Sequence, residues 1–388
     1  MSIRGKAYIV GAFEHPRREI PDRSLTQIHA DVALGALADA GLSLGDVDAY
    51  FCDSGAGFGP LSMAEYLGLR CSIVDSTETG GSSYLAHVGH AAAAIAAGKC
   101  QVALVTLAGK PRSSFEGFRG FQGEATPESS FEGMWGINGA VTNYALAATR
   151  HMHEFGTTSE QLATIKVAAS LHAEHNPNAF LPHAVTVEEV LESPMVSDPL
   201  HRMDCCVVTD GGGAVIVASP SVARDLARPM VKVLGHGETV KHTNNGRVDL
   251  TYTGAVWSGP RAFDEAGLGP ADVDYASIYD SFTITVLETL EDLGFCDKGK
   301  GGEFVMDGAL VAPHGRLPFN TDGGGLCNNH PGNRGGMTKI IEAVRQLRGE
   351  AHPAVQVPNC RIALAHGTGG SIATRMGSVT LLLGQEDA

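Results

Sequence analysis

Basic residues are scarce in this chain of 388 residues, in which 28 Lys and Arg stand against 43 Asp and Glu. The formal net charge of −15 argues against nucleic acid as a general partner, because phosphate binding relies on a basic surface. Long apolar runs are also missing, since no window reaches the roughly 18 apolar residues of a membrane span. Residues 1–5 lead directly into an apolar strand at 7–10, without a signal-peptide pattern. We therefore expect a soluble, cytoplasmic protein that binds neither nucleic acid nor a membrane.

Aromatic residues make up only 6% of the chain, and the cysteines form no CxxC pair. The eight cysteines are scattered, which favours a reduced, cytosolic state over a disulfide framework; they are Cys52, Cys71, Cys100, Cys205, Cys206, Cys296, Cys327 and Cys360. The adjacent Cys205 and Cys206 would face opposite ways on a strand, so no metal site is predicted. Glycine, by contrast, is abundant at 49 residues, which suits tight α/β packing with many strand-to-helix turns.

The two ends of the chain share a repeated pattern. Ala40–Leu42 and Asp46–Asp48 recur as Ala266–Leu268 and Asp272–Asp274, each 226 positions later. A helix at 84–97 followed by Cys100 and an apolar strand is echoed by a helix at 337–348, Cys360 and the strand 362–365. Six identities can arise by chance in a chain rich in Ala and Gly. The agreement in order, helix ends and strands nevertheless favours a duplicated α/β unit.

The middle of the chain differs from both ends in composition. Residues 111–199 contain loops with Gly and Phe, followed by polar helices near 141–155 and 159–175. We predict an inserted region that acts as a lid or a subunit contact. The N-terminal half is then 1–110 with 200–228, and the C-terminal half is 229–388.

Residues 321–347 present a histidine between two glycine clusters. Pro331 biases His330 away from the α region, so the imidazole is expected on turn or extended backbone. Gly335 and Gly336 then open a helix whose apolar residues fall at helical spacing. This placement favours a catalytic histidine. The alternative is a turn histidine that only hydrogen-bonds its neighbours.

Four motifs in order resemble the thiolase superfamily, in the branch near the sterol-carrier (lipid-transfer) thiolases. They are His330–Gly332 before the Gly-opened helix, Asp204–Ala218, Tyr279–Phe282 and Ala365–Gly370. The resemblance covers essentially the whole chain. It implies an α/β fold of two duplicated βαβαβαββ halves that form a five-layer αβαβα core. It also implies an enzyme that makes or breaks a carbon–carbon bond of an acyl-CoA thioester. Coenzyme A would be a co-substrate, and no cofactor would be bound permanently.

Three positions depart from the family pattern. The family's nucleophilic Cys stands at the start of the helix that here begins near Tyr84, and Gly81 occupies that position. Tyr279 stands where the family often has His or Asn, and Ala365 where it has a second Cys. A serine needs a strong neighbouring base to replace a thiolate, so covalent acyl transfer is not assured.

The resemblance and these departures together give the candidate site. The catalytic candidates are His330, His366, Ser83, Ser82, Tyr279 and Cys327. The candidates for binding the thioester oxygen or the substrate are Gly81, Asn329, Gly324 and Gly369. Several of these residues could instead have a purely structural role. The serines would cap the following helix, while Tyr279 and Cys327 would pack in the core.

Three functions remain open. The first expectation is CoA-dependent thiolysis of a 3-oxoacyl-CoA, for instance an aromatic one such as benzoylsuccinyl-CoA. The second is retro-aldol cleavage of a 3-hydroxyacyl-CoA, as in steroid side-chain degradation, which needs no acyl-enzyme. The third is a non-catalytic scaffold that binds acyl-CoA. The resemblance implies a homodimeric core and, for either enzyme, a small zinc-ribbon/OB-fold partner subunit.

Overall fold

The computed structural model describes residues 2–53, 55–114, 130, 133–134, 136–137, 139–242, 247–332, 335–371 and 375–388. Its helices are Leu25–Ala40 (α1), Pro60–Leu67 (α2), Ser83–Ala96 (α3), Gly139–Phe155 (α4), Ser159–Ala173 (α5), Val187–Glu192 (α6), Pro220–Ala223 (α7), Ala255–Ala266 (α8), Thr283–Asp292 (α9), Gly301–Phe304 (α10) and Gly336–Arg348 (α11). Its strands are Tyr8–Glu14 (β1), Ala49–Phe51 (β2), Ile73–Asp75 (β3), Val102–Gly109 (β4), Met195–Ser197 (β5), Leu200–His201 (β6), Gly211–Ala218 (β7), Val231–Lys241 (β8), Tyr275–Ile278 (β9), Ile362–Ser371 (β10) and Arg375–Gly384 (β11).

Helix α1 begins and ends where its local sequence predicts. The Ser24 side chain accepts a hydrogen bond from the amide of Gln27, and the Gln27 side chain accepts one from the amide of Ser24. Gly41 ends the helix in the left-handed conformation, at φ 72°, which residues with a Cβ rarely adopt. These two signals fix the length of the helix that covers the N-terminal half.

Nine strands form one sheet in the order β3-β2-β4-β7-β1-β8-β11-β10-β9. Counted from the middle of the sheet outward, β8-β11-β10-β9 of the C-terminal half correspond to β1-β7-β4-β2 of the N-terminal half. The place that corresponds to β3 is taken by Phe319, which forms an isolated parallel bridge with Ala276. Strands β2 and β9 begin 226 positions apart (275 − 49), the offset of the repeated segments. The two halves of the sheet are therefore built on the same plan, in agreement with the predicted duplication.

Helices α3 and α11 form the layer between the two halves of the sheet. Their apolar residues belong to one buried cluster with side chains from β4, β7, β10 and β11. Helix α1 covers the outer face of the N-terminal half, while α8 and α9 cover that of the C-terminal half. The layers therefore follow the predicted αβαβα order. At the start of α11, a Cβ on Gly336 would lie 1.9 Å from the carbonyl oxygen of Gly81, so the two central helices meet closely there.

The described part of the insertion packs on the outer face of the C-terminal half. Helices α4 and α5 confirm the two helices predicted there, and they share an apolar cluster with α9. The Tyr144 ring on α4 stacks on Phe282 at a centroid distance of 4.3 Å. The predicted Phe-containing loops at 115–121 and 131 lie outside the described residues. The domain boundaries stay a prediction.

Among the described residues, none of the helices combines the length and the apolar character that crossing a membrane requires.

Candidate active site

The start of α3, the end of β9, the loop 323–332 and the start of α11 meet at one point. Tyr279, directly after β9, lies where a side chain on Gly81 would project. A Cβ built on Gly81 would be 2.5 Å from the Tyr279 ring and 2.5 Å from the carbonyl oxygen of Thr368. No real Cβ approaches other atoms so closely. Glycine is therefore required at position 81, and the phenol of Tyr279 fills the space beside it.

Tyr279 and His330 form a buried pair. The Tyr279 hydroxyl oxygen lies 2.8 Å from His330 Nε2, and both residues are less than a tenth exposed. Burial raises the pKa of Tyr279 well above its usual value, and nearby Cys206, Tyr144 and Asp280 raise it further. Burial lowers the pKa of His330 to about 4. Both groups are neutral near pH 7, and the phenol donates to Nε2 whenever the ring proton is on Nδ1.

A buried hydrogen-bond network holds the backbone of His330. Its amide donates to Thr209 Oγ1 at 2.9 Å, and the Thr209 hydroxyl donates to Asn329 Oδ1 at 2.8 Å. Asn329 Nδ2 in turn donates to the Glu14 carboxylate at 2.9 Å. Glu14 also pairs with Arg18 at 2.8 Å and with Arg345 at 3.2 Å. The histidine loop of the C-terminal half is thus fixed to the first strand of the N-terminal half.

This network predicts an acid-sensitive stability. Burial alone would raise the pKa of Glu14, but Arg18, Arg345 and the Asn329 amide lower it to about 2, against 4.5 for an unperturbed Glu. The difference corresponds to about 3 kcal/mol of folding free energy. Because the folded pKa is depressed, this stability is present above pH 4.5 and is lost as the pH falls toward 2.

Urea unfolding between pH 7 and pH 2.5 measures the effect. Glu14→Gln should be less stable than the wild type at pH 7, and it should lose less stability on acidification. Glu65→Gln, which removes an exposed carboxylate from α2, serves as the control. Parallel pH profiles for Glu14→Gln and the wild type would contradict the prediction.

Asp280 holds the loop that precedes His330. One carboxylate oxygen accepts the amide of Gly325 at 2.8 Å, and the other accepts the amide of Leu326 at 3.1 Å. The ammonium of Lys339, on α11, lies 2.9 Å from Asp280 Oδ1. Both side chains are at most 1% exposed. An ion pair is therefore buried directly beside the Tyr279–His330 pair.

The two predicted serines form local hydrogen bonds at the start of α3. The Ser82 hydroxyl donates to the carbonyl oxygen of Thr79 at 2.8 Å, and the amide of Thr79 donates to Ser83 Oγ at 2.8 Å. Both serines are fully buried. The Ser82 side chain makes no capping hydrogen bond to α3, so these bonds differ from the capping that the sequence left open as the alternative.

The structure does not bring His366 to the Tyr279–His330 pair. In the parallel ladder His366 stands opposite Ile278, whose side chain belongs to the outer apolar cluster under α9. Tyr279 is the next residue along, so its side chain points to the other face. His366 Nδ1 lies 2.9 Å from Thr380 Oγ1, and burial lowers the pKa of His366 to about 3. Its backbone is close to Tyr279, but its imidazole is not.

Three of the remaining candidates lie in the loop 323–332, and the fourth, Gly369, lies on β10. Cys327 is fully buried, and the Lys166 ammonium donates to its sulfur at 3.0 Å. The amide of Gly324 donates to the Asp322 carboxylate, so it is already occupied. Asn329 serves the network described above. Gly369 lies against the carbonyl of Thr79, where a Cβ would be 1.5 Å from the oxygen.

Sequence reasoning missed Glu14 and Lys339. Both are charged residues in segments whose pattern indicates an ordinary strand end and a helix surface, where charges usually meet solvent. The signal that was available is Lys339 itself, which falls between the apolar Met337 and Ile340 of a helix that opens beside the predicted histidine.

Residues 237–384 match the family described as thiolase C-terminal domain-like. A 17-hydroxy-3-oxo-4-pregnene-20-carboxyl-CoA lyase of Mycobacterium tuberculosis is 34% identical over 385 residues, which cover 95% of this chain and 97% of that protein. An acetyl-CoA acetyltransferase of Methanothermobacter thermautotrophicus is 39% identical over 238 residues, which cover 60% of this chain and 62% of that one. A solved Ltp2-ChsH2(DUF35) aldolase superposes with a TM-score of 0.89 and 31% identity, covering 99% of both chains.

The layered fold, the glycine loop with His330 and these matches define a thiolase-fold enzyme. The chain belongs to the thiolase superfamily. Within the superfamily it belongs to the branch of the sterol-carrier-type thiolases, which contains both acyltransferases and carbon–carbon lyases.

Proposed function

We propose that this chain is a retro-aldolase, which cleaves the Cα–Cβ bond of a 3-hydroxyacyl-CoA without forming an acyl-enzyme. One observation carries the proposal: the Tyr279 ring occupies the space beside Gly81 into which the family's nucleophilic side chain would project. The site therefore offers a phenol hydrogen-bonded to an imidazole where thiolytic relatives offer a thiol.

The Tyr279–His330 pair can accept the proton of the substrate hydroxyl and later return it to the product. The 3-hydroxyl proton passes to the Tyr279 oxygen as the phenol proton passes to His330 Nε2. The O–H electrons form the carbonyl of the ketone or aldehyde product, and the Cα–Cβ electrons move into the thioester as an enolate. The proton then returns through Tyr279 to Cα, which yields the shortened acyl-CoA. We propose the amides of Gly81 and Gly369 as donors to the thioester oxygen.

Thiolysis, the first expectation from the sequence, has less support at this site. Cys327 lies in the outer apolar cluster with its sulfur on Lys166, and burial raises its pKa. Cys206 lies near Tyr279, but burial raises the pKa of its thiol far above the usual range. The lyase and the aldolase match along nearly the whole chain, whereas the acetyltransferase matches along 60% of it.

We propose two protein partners. The described part of the chain leaves one side of β3 at the sheet edge, beside the exposed apolar side chains of Phe58, Leu61 and Tyr66. This surface supports a homodimer, because edge strands and apolar patches are commonly covered by another chain. The aldolase of similar structure is named as a complex with a DUF35 protein. That name supports a small zinc-ribbon/OB-fold subunit as the second partner.

Product analysis tests the function. The purified chain, alone and with a zinc-ribbon/OB-fold subunit, is given a 3-hydroxyacyl-CoA without free CoA and, separately, a 3-oxoacyl-CoA with CoA. We expect a ketone or aldehyde and a shortened acyl-CoA from the first substrate. Product from the 3-oxoacyl-CoA alone, and only with added CoA, would establish thiolysis instead. No product under any condition would favour the scaffold.

A further inference from the structure

The charges nearest to His330 form a compact group. Asp280 follows Tyr279 in the chain, and Lys339 projects from the first turn of α11 onto the Asp280 carboxylate. Apart from Asp280, the Lys339 ammonium has no hydrogen-bond partner among the residues that the structure describes. A fully buried ammonium with one partner is costly, since its other donors lose their water. A buried ammonium in this position calls for a role beyond packing.

Asp280 cannot be removed without loosening the histidine loop. Its two carboxylate oxygens accept the amides of Gly325 and Leu326, which lead into His330. An ionised carboxylate is the group that best satisfies two convergent amides. Its negative charge, however, favours the imidazolium form of His330. The geometry that fixes the loop therefore works against a neutral base.

We propose that Lys339 is a positioning residue that favours the neutral imidazole of His330, by opposing at the ring the charge of the neighbouring Asp280 carboxylate. The catalytic meaning of this role rests on the proposed retro-aldolase function. The electrostatic claim itself concerns only the protonation of His330, so it is testable without any substrate.

The other charged and titratable groups around the pair do not replace Lys339. Tyr279 and Cys206 are neutral near pH 7, because burial raises the pKa of each well above its usual value. Asp322 is an acidic group that favours the charged form of Lys339, so it supplies no positive charge to His330. Burial lowers the pKa of His330, Asp280 raises it, and Lys339 is the cation that lowers it again.

The test is the titration of His330 by NMR with ring-labelled histidine, its signal assigned by absence from His330→Gln. In Lys339→Met we expect the His330 midpoint to rise by about one to two pH units, the order of magnitude for removing a nearby unit charge at an effective dielectric near 20. Lys339→Arg keeps the charge and should titrate close to the wild type. A midpoint in Lys339→Met within about 0.3 units of the wild type, where Coulomb's law requires a larger shift, would overturn the proposal.

A double variant keeps the proposal testable if Lys339→Met does not fold. Asp280→Asn with Lys339→Met removes both charges, while the Asn side-chain oxygen can still accept one of the two loop amides. A buried pair is better tolerated when both partners are replaced. Its His330 midpoint should return to within about one unit of the wild type, because the two opposed effects cancel. A midpoint displaced as far as in the single variant would also overturn the proposal. If the protein lacks lyase activity but these shifts appear, only the proposed function fails.

Discussion

Tyr279→Phe is expected to lower kcat for carbon–carbon cleavage by about 10²–10⁴-fold, the range of positioned proton transfer. The substitution removes one oxygen atom and leaves the ring that fills the space beside Gly81. Packing at the start of α3 is therefore preserved, and KM should change little. The loss falls on kcat because, in the proposed mechanism, the hydroxyl passes the substrate proton to His330 Nε2, which lies 2.8 Å away.

A matched control is available on β9, the strand that leads into Tyr279. Tyr275 is also fully buried and points to the same face of the sheet, since it stands four residues before Tyr279. Its hydroxyl accepts long hydrogen bonds of 3.3 Å from the amide and the hydroxyl of Thr321. Tyr275→Phe should therefore change kcat less than about threefold, in line with the loss of a weak hydrogen bond. Equal losses in both variants would show that the phenol of Tyr279 has no special role.

The fold was largely predictable because its signals are local. Ser24 and Gly41 mark the ends of α1, and the repeated segments 226 positions apart correspond to β2 and β9. Capping and helical periodicity depend on residues close in sequence, so they can be recognised without knowledge of the tertiary contacts. The five-layer arrangement followed from the family resemblance and not from these signals.

The site was only partly predictable, because it depends on which face each side chain takes. His366 and Tyr279 lie on neighbouring strands, and a shift of one residue in register would move either side chain to the other face. The sequence alone does not give that register. Glu14 and Lys339 were not predicted as site residues for another reason. Their burial results from contacts between distant parts of the chain, which the sequence does not show.

The second large effect is expected at His330. His330→Gln should lower kcat by at least about 10²-fold, because an amide accepts the phenol hydrogen bond but cannot take its proton. Glutamine is preferred to alanine, since alanine would leave the buried Tyr279 hydroxyl without a partner, at a cost of about 1–3 kcal/mol. Circular dichroism and a thermal melt should show a folded protein, and single-turnover kinetics would assign the loss to the chemical step.

His366→Gln discriminates the structure from the sequence-based expectation. The sequence ranked both histidines as catalytic, whereas the structure places the His366 imidazole on Thr380 under α9, on the face away from Tyr279. A residue on that face influences the reaction only through packing, so we expect less than about a tenfold loss of kcat, together with a lower melting temperature. If His366→Gln lost as much kcat as His330→Gln while remaining fully folded, His366 would take part in the proton transfer. The Tyr279–His330 pair would then not be the complete catalytic base.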